Sequence, residues 1–245
     1  MRTRRNTVTA DAVATLALVA MLGLLGGCNM FAPSHVLEME FFLLDDDITP
    51  PTAVAAGTLI LTINPPRAAA GFDSPRIVYV RHQHQLEYFA HSAWVDSPAD
   101  MLAPLLVRAI ARGGAFRASL SPGSTARSDL QMEVEIVRLQ QEFDGLPSRV
   151  RLTVRVGLVA SADRQVLATR EFESVVASRS EDARGGVAAA NLAARQLLAD
   201  IGSWSGTVAQ QWRIAVPSGS RSPSSLSNLR AGVVRPSPVP IKIGR

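Results

Sequence analysis

The chain predicts an α+β fold: a mixed, largely antiparallel sheet with two main helices packed on one face. Three observations carry this. Leu130, Met132, Val134 and Ile136 alternate with Gln131, Glu133 and Glu135, the period of two expected of a strand with one wet face. After a turn at Asp144-Gly145-Leu146-Pro147, Val150, Leu152, Val154, Val156 and Leu158 alternate with Arg149, Arg151, Thr153 and Arg155, so acid on one strand faces base on its antiparallel neighbour. Two further segments place apolar residues at helical spacing along a single stripe, which has to be buried against a sheet.

Taken in order, the amino terminus comes first. Arg2, Arg4 and Arg5 precede an uncharged run over residues 12–25, the layout of a secretory leader. At fourteen residues the run is shorter than the roughly 20 needed to span a bilayer as a helix. It ends in Leu25-Gly26-Gly27-Cys28, which resembles the lipobox of bacterial lipoproteins; the resemblance implies cleavage before Cys28 and acylation of its sulfur and its new amino terminus. Residues 1–27 are thus read as a lipoprotein signal peptide. Cys28 is the only cysteine, which excludes an intramolecular disulfide. Asn29, rather than Asp, follows it, which by the sorting rule of such lipoproteins implies the periplasmic face of the outer membrane. Residues 28–37 read as a tether.

A folded domain is expected over 38–212. Phe41-Phe42-Leu43-Leu44 is a short apolar strand stopped by Asp45-Asp46-Asp47. The three Asp do not fit a calcium loop, because Ala56 occupies the twelfth position, where a Glu is needed. Thr58–Ile63 is β-branched and apolar and is closed by Pro65-Pro66, a second strand. Residues 76–81 and 85–89 form a hairpin around His82-Gln83-His84. His82 and His84 share a face and His91 follows, yet no cysteine or suitably spaced carboxylate completes a zinc set, so these read as exposed hairpin histidines.

Ser97-Pro98-Ala99-Asp100 is a helix start, with a hydroxyl N-cap, Pro at the first helical position and a carboxylate after it. Leu102, Leu105, Leu106, Ala109 and Ile110 form its stripe, Gly113-Gly114 ends it, and Pro104 is expected to bend it. A strand over Val166–Val176 completes a meander with the two alternating strands. The second helix starts near Ser180-Glu181-Asp182, and Val187, Ala190, Ala194, Leu197, Leu198 and Ile201 make its stripe. Trp204 and Trp212 are expected to follow it and plug the core. Residues 213–245, rich in Ser, Pro and Arg, read as a disordered tail.

Charge and motifs exclude several functions. The formal +4 comes from the leader and the tail, since residues 28–216 hold 17 basic and 20 acidic side chains, and a nucleic-acid surface is not expected. Gly202-Ser203-Trp204-Ser205-Gly206 has Trp where a nucleophile elbow needs Ser. No Walker loop, G-x-G-x-x-G or H-E-x-x-H occurs. The expectation is a protein that is not an enzyme and uses no cofactor or metal.

The order of parts supports a family resemblance. A lipobox is followed by Phe41-Phe42-Leu43-Leu44, a proline-closed strand, Ile77-Val78-Tyr79-Val80-Arg81, Gln85-Leu86-Glu87-Tyr88, Trp94, the capped helix from Ser97, the meander and an Ala-rich helix. Over roughly residues 38–204 this resembles the PqiC-like auxiliary lipoproteins of ABC-type transporters, which work beside MCE-domain proteins that move lipids between membranes. The Ser/Pro tail and Pro104 depart from the pattern. The resemblance implies a non-enzymatic periplasmic piece held on the outer membrane through acylated Cys28, with an MCE-domain protein as partner; self-association into a homo-oligomer is compatible with it. It also implies a partner-binding patch around Tyr79, Arg81 and Trp94, while the core is an equal alternative for Tyr79 and the preferred one for Trp94. Two rival readings stay open: a periplasmic lipid or glycolipid carrier holding cargo in its own apolar cavity, and an assembly factor for an outer-membrane protein.

Overall fold

A computed structural model describes residues 38–45 and 57–215. The proposed leader and tether, Cys28, Asp46 and Asp47, Ala56 and all of the tail beyond Ala215 lie outside these residues. Within them the element order is β1 (Glu40–Phe42), β2 (Ile60–Ile63), β3 (Arg67–Ala68), β4 (Arg76–Val80), β5 (Glu87–Trp94), α1 (Pro98–Arg112), β6 (Ala118–Leu120), β7 (Leu130–Glu142), β8 (Arg149–Ala160), β9 (Val166–Ala177) and α2 (Ala183–Ala215).

β7 is the spine. One of its edges pairs antiparallel with β8 along its whole length, and β8 pairs in turn with β9, giving the expected meander. Its other edge is shared end to end by three short parallel strands: β2 against Leu130–Met132, β3 against Glu135–Ile136 and β4 against Gln141–Glu142. β5 closes the hairpin with β4, and β1 adds to β5 in parallel. β6 lies parallel to β2, with α1 in the crossover between them.

The alternation expected along β7 changes phase partway. A bulge between Ile136 and Arg138 shifts the register, so Leu139 and Gln141 take over the buried face while Gln140 and Glu142 turn toward the side of Arg149 and Arg151. An added residue in one strand does this because side chains alternate with a period of two.

Both helices cover one face. Ser97 caps α1 by accepting from the Asp100 amide at 3.2 Å, and Gly114, at φ 63°, lets the chain leave its other end. The helix runs through Pro104 as one element, with that ring on the exposed side. Leu102, Leu105, Leu106 and Ile110 are buried under it, joined by Met101. α2 buries Val187, Ala190, Ala194, Leu197, Leu198 and Ile201. It also corrects two expectations. The helix continues to Ala215, past the boundary at 213, and both tryptophans lie inside it. Trp204 packs edge-on against Phe172 at 5.5 Å, because Ser205, Gly206 and Ala209 extend the buried stripe with side chains too small to register as hydrophobic periodicity.

The approach of α2 to the sheet depends on Gly186. A Cβ there would stand 2.2 Å from Oε1 of Gln141, a residue only 2% exposed whose amide donates to Ser148 Oγ at 2.9 Å. The opposite face of the meander is charged. Arg155 bridges Glu135 and Glu171 at 2.9 and 3.0 Å, and Arg151 bridges Glu142 and Glu173 at 2.8 and 2.7 Å. Acid and base interlock across all three strands, as the alternation of Glu and Arg leads one to expect.

Candidate functional site

The sequence-predicted patch lies where the β4–β5 hairpin meets the end of β7, and the structure divides its three residues. Tyr79 is half-buried. Its ring leans on Phe89 at 4.7 Å and meets the edge of Phe143 at 5.8 Å, while its hydroxyl donates to Glu87 at 3.0 Å. Partial burial and the hydrogen bond to a carboxylate both raise the Tyr79 pKa above the ordinary phenol value, and Arg81 opposes them. Arg81 is exposed, lies over the Tyr79 ring at 4.9 Å and reaches Glu87 at 4.0 Å. A guanidinium over an aromatic face is a stable and accessible combination, suited to an interface.

Trp94 does not belong with them. It is 3% exposed and sits in the core, so it is removed from the contact patch. The reason is register: Trp94 pairs with Phe42 at the end of β5, and its neighbours there include Ile77 and Ala190.

Beside the patch is a feature that sequence reasoning missed. No strand pairs with β7 between Ile136 and Gln141 on the edge that β3 and β4 share, among the described residues. The gap opens a groove of about 550 Å³ whose walls include Phe72, Val80, Leu86, Val137, Arg81 and Arg138. The hairpin tip, with exposed His82 and His84, forms one rim. Gly71 shapes that rim, since φ 94° is open to glycine and a Cβ there would lie 2.8 Å from Leu86 Cδ1.

The groove rests on Glu142, whose carboxylate accepts from Arg149 Nε at 2.9 Å, Arg151 Nε at 2.8 Å and Gln140 Nε2 at 3.0 Å. Burial alone would raise its pKa, but the hydrogen bonds from Arg151, Arg149 and Gln140 outweigh it and hold the group at about 2. Only the bulge brings Glu142 onto the face of those arginines, and no local sequence pattern marks it.

Among the described residues there is no group of three or more His, Cys, Asp or Glu side chains placed to hold a metal ion, and no helix is long and apolar enough to cross a membrane. The space between Ile77, Val78, Trp94, Leu139, Val150 and Ala190 is about 10 Å³, roughly one water sphere.

These features define a class: a helix-backed sheet domain with a groove beside its β4–β5 hairpin. Residues 42–202 match the family described as ABC-type transport auxiliary lipoprotein component. The chain belongs to that family, and is thereby an auxiliary lipoprotein component of ABC-type transport. Among solved structures, protein XCC0632 from Xanthomonas campestris is 26% identical, with 70% of this chain and 97% of that chain covered at a TM-score of 0.62. A crystal structure of an uncharacterized protein, 14% identical with 69% and 99% covered, has a TM-score of 0.54 and shares the fold. No curated protein matches the chain.

Proposed function

We propose that this protein is anchored through acylated Cys28 to the periplasmic face of the outer membrane, where it serves as the non-enzymatic docking component of an MCE-type lipid transport system. The observation that carries the reading is the family match over residues 42–202. In this reading Tyr79 and Arg81 form the contact with an MCE-domain protein, and Trp94 supports β5 from within. The ring of Tyr79 is fixed on two sides by Phe89 and Phe143, so little side-chain freedom is lost when a partner covers it.

The space around Trp94, about 10 Å³, holds no acyl chain, which speaks against a carrier that stores its cargo between these core side chains. A photo-reactive amino acid at position 81, expressed in cells, tests the proposal. The expected adduct contains an MCE-domain protein, and no adduct is expected with the same probe at position 164, on the β8–β9 turn. An adduct with an outer-membrane β-barrel protein, or equal labelling from both positions, would overturn it.

A further inference from the structure

We infer that the groove between the end of β4, the hairpin tip and the bulge of β7 binds the phosphate-bearing headgroup of an anionic phospholipid. Its lining carries four arginines, Arg81, Arg138, Arg149 and Arg151, against two carboxylates, Glu142 and Asp144. Those two carboxylates are already taken. Glu142 is held by Arg149 and Arg151, and Asp144 accepts from Arg149 Nη2 at 2.7 Å.

The uncompensated charge rests on the other pair. Arg138 is exposed and has no hydrogen-bond, ion-pair or ring partner among the described residues. Arg81 rests on the Tyr79 ring at 4.9 Å, a contact that leaves its N–H donors unused, and its single carboxylate, Glu87, stands at the outer limit of 4.0 Å. Two weakly engaged guanidiniums on one groove suit a phosphate group, which takes their forked donors in paired hydrogen bonds.

The floor selects among anions. Phe72, Val80, Leu86 and Val137 line the same groove, and Leu86 is 40% exposed. A free phosphate or an acidic peptide would leave this apolar surface wet, whereas the glycerol and first methylenes of a lipid would cover it. About 550 Å³ lies in the usual range for a small-molecule site and is too small for two whole acyl chains. The groove therefore takes the head and shoulder of a lipid whose tails stay outside. The interlocked Arg149, Glu142 and Arg151 act as its rigid base and set the position of the strand that carries Arg138.

This inference goes beyond the docking reading, although Arg81 belongs to both surfaces. Headgroup binding is measured on the purified chain with no partner present, so a negative result there leaves the docking reading intact. The full chain, purified in a non-ionic detergent, is titrated calorimetrically with dihexanoyl phosphatidylglycerol, dihexanoyl phosphatidylcholine, inorganic phosphate and a poly-glutamate peptide. The expected result is saturable binding of the phosphatidylglycerol, at least tenfold tighter than the phosphatidylcholine or phosphate and lost by tenfold or more in Arg81→Gln/Arg138→Gln. Arg155→Gln, on the same face but outside the groove, is expected to bind as the parent does. Both altered sites are exposed, and circular dichroism checks that the fold is kept. Equal binding by the double variant, equal binding of the two lipids or of phosphate, or saturation by poly-glutamate alone would each overturn the assignment.

Discussion

Replacing Glu142 by Gln keeps the shape of the side chain and removes its charge. In the parent, the carboxylate stands at about 2 instead of the ordinary 4.5, a difference of about 2.5 units, or at most about 3.4 kcal/mol at about 1.36 kcal/mol per unit. The Glu142 side chain is 11% exposed, but Arg149 and Arg151 are 41% and 21% exposed, so water screens part of this and about 2 kcal/mol is the working figure. A carboxylate whose pKa is depressed by folding contributes fully above its unfolded pKa and loses that contribution as pH falls through the folded one. The destabilisation caused by Glu142→Gln is therefore expected to be about 2 kcal/mol at pH 7, to shrink between pH 4.5 and pH 2, and to vanish below that window. Urea unfolding of both proteins at a series of pH values measures it. A difference under about 0.5 kcal/mol at pH 7, or one that does not change with pH, would refute the account of this site.

Other outcomes follow from the packing and the proposed anchor. Trp94→Ala should destabilise the domain by about 3–5 kcal/mol, since a fully buried indole leaves a large cavity; denaturant midpoints read this, and a loss under 1 kcal/mol would place the ring at the surface. Gly186→Ala should cost on the order of 1–3 kcal/mol by overpacking, because the new methyl would meet Gln141, and Gly145→Ala on the β7–β8 turn, where nothing lies within 4 Å of the Cβ position, should change stability by about 0.5 kcal/mol or less. Cys28→Ser should leave a precursor of unchanged mobility that takes up no radioactive palmitate, and continued acylation would defeat the proposed anchor.

How much of this could be read in advance depends on whether the signal was local. Glu133, Glu135, Arg151 and Arg155 announced the meander and its ion pairs, because charge and period agreed on neighbouring strands. Ser97 and Gly114 announced both ends of α1 for the same reason. The three short strands on the far edge of β7 were only partly legible. Arg67–Ala68 is two residues long, and its parallel partner lies almost seventy residues away, a distance no pattern within a window spans. The bulge at Val137 carries no Gly or Pro to mark it, so the turn of Glu142 toward Arg149 and the groove beside it were invisible. The far half of α2 was missed because Gly202, Ser205 and Gly206 look like a loop, yet a helix lying close to its neighbours needs small residues there. Tyr79 and Arg81 were placed together by family resemblance, and their contact at 4.9 Å agrees with the alternation along a hairpin end.

The most direct test is affinity purification of the tagged protein from solubilised native membranes, with partners and lipids identified by mass spectrometry. The account predicts an MCE-domain protein at a fixed ratio to the wild-type chain and its loss from Tyr79→Ala/Arg81→Glu, with amino-terminal acylation retained. Recovery of that partner in equal amount by both proteins, or a wild-type chain recovered with no transporter component, would contradict it.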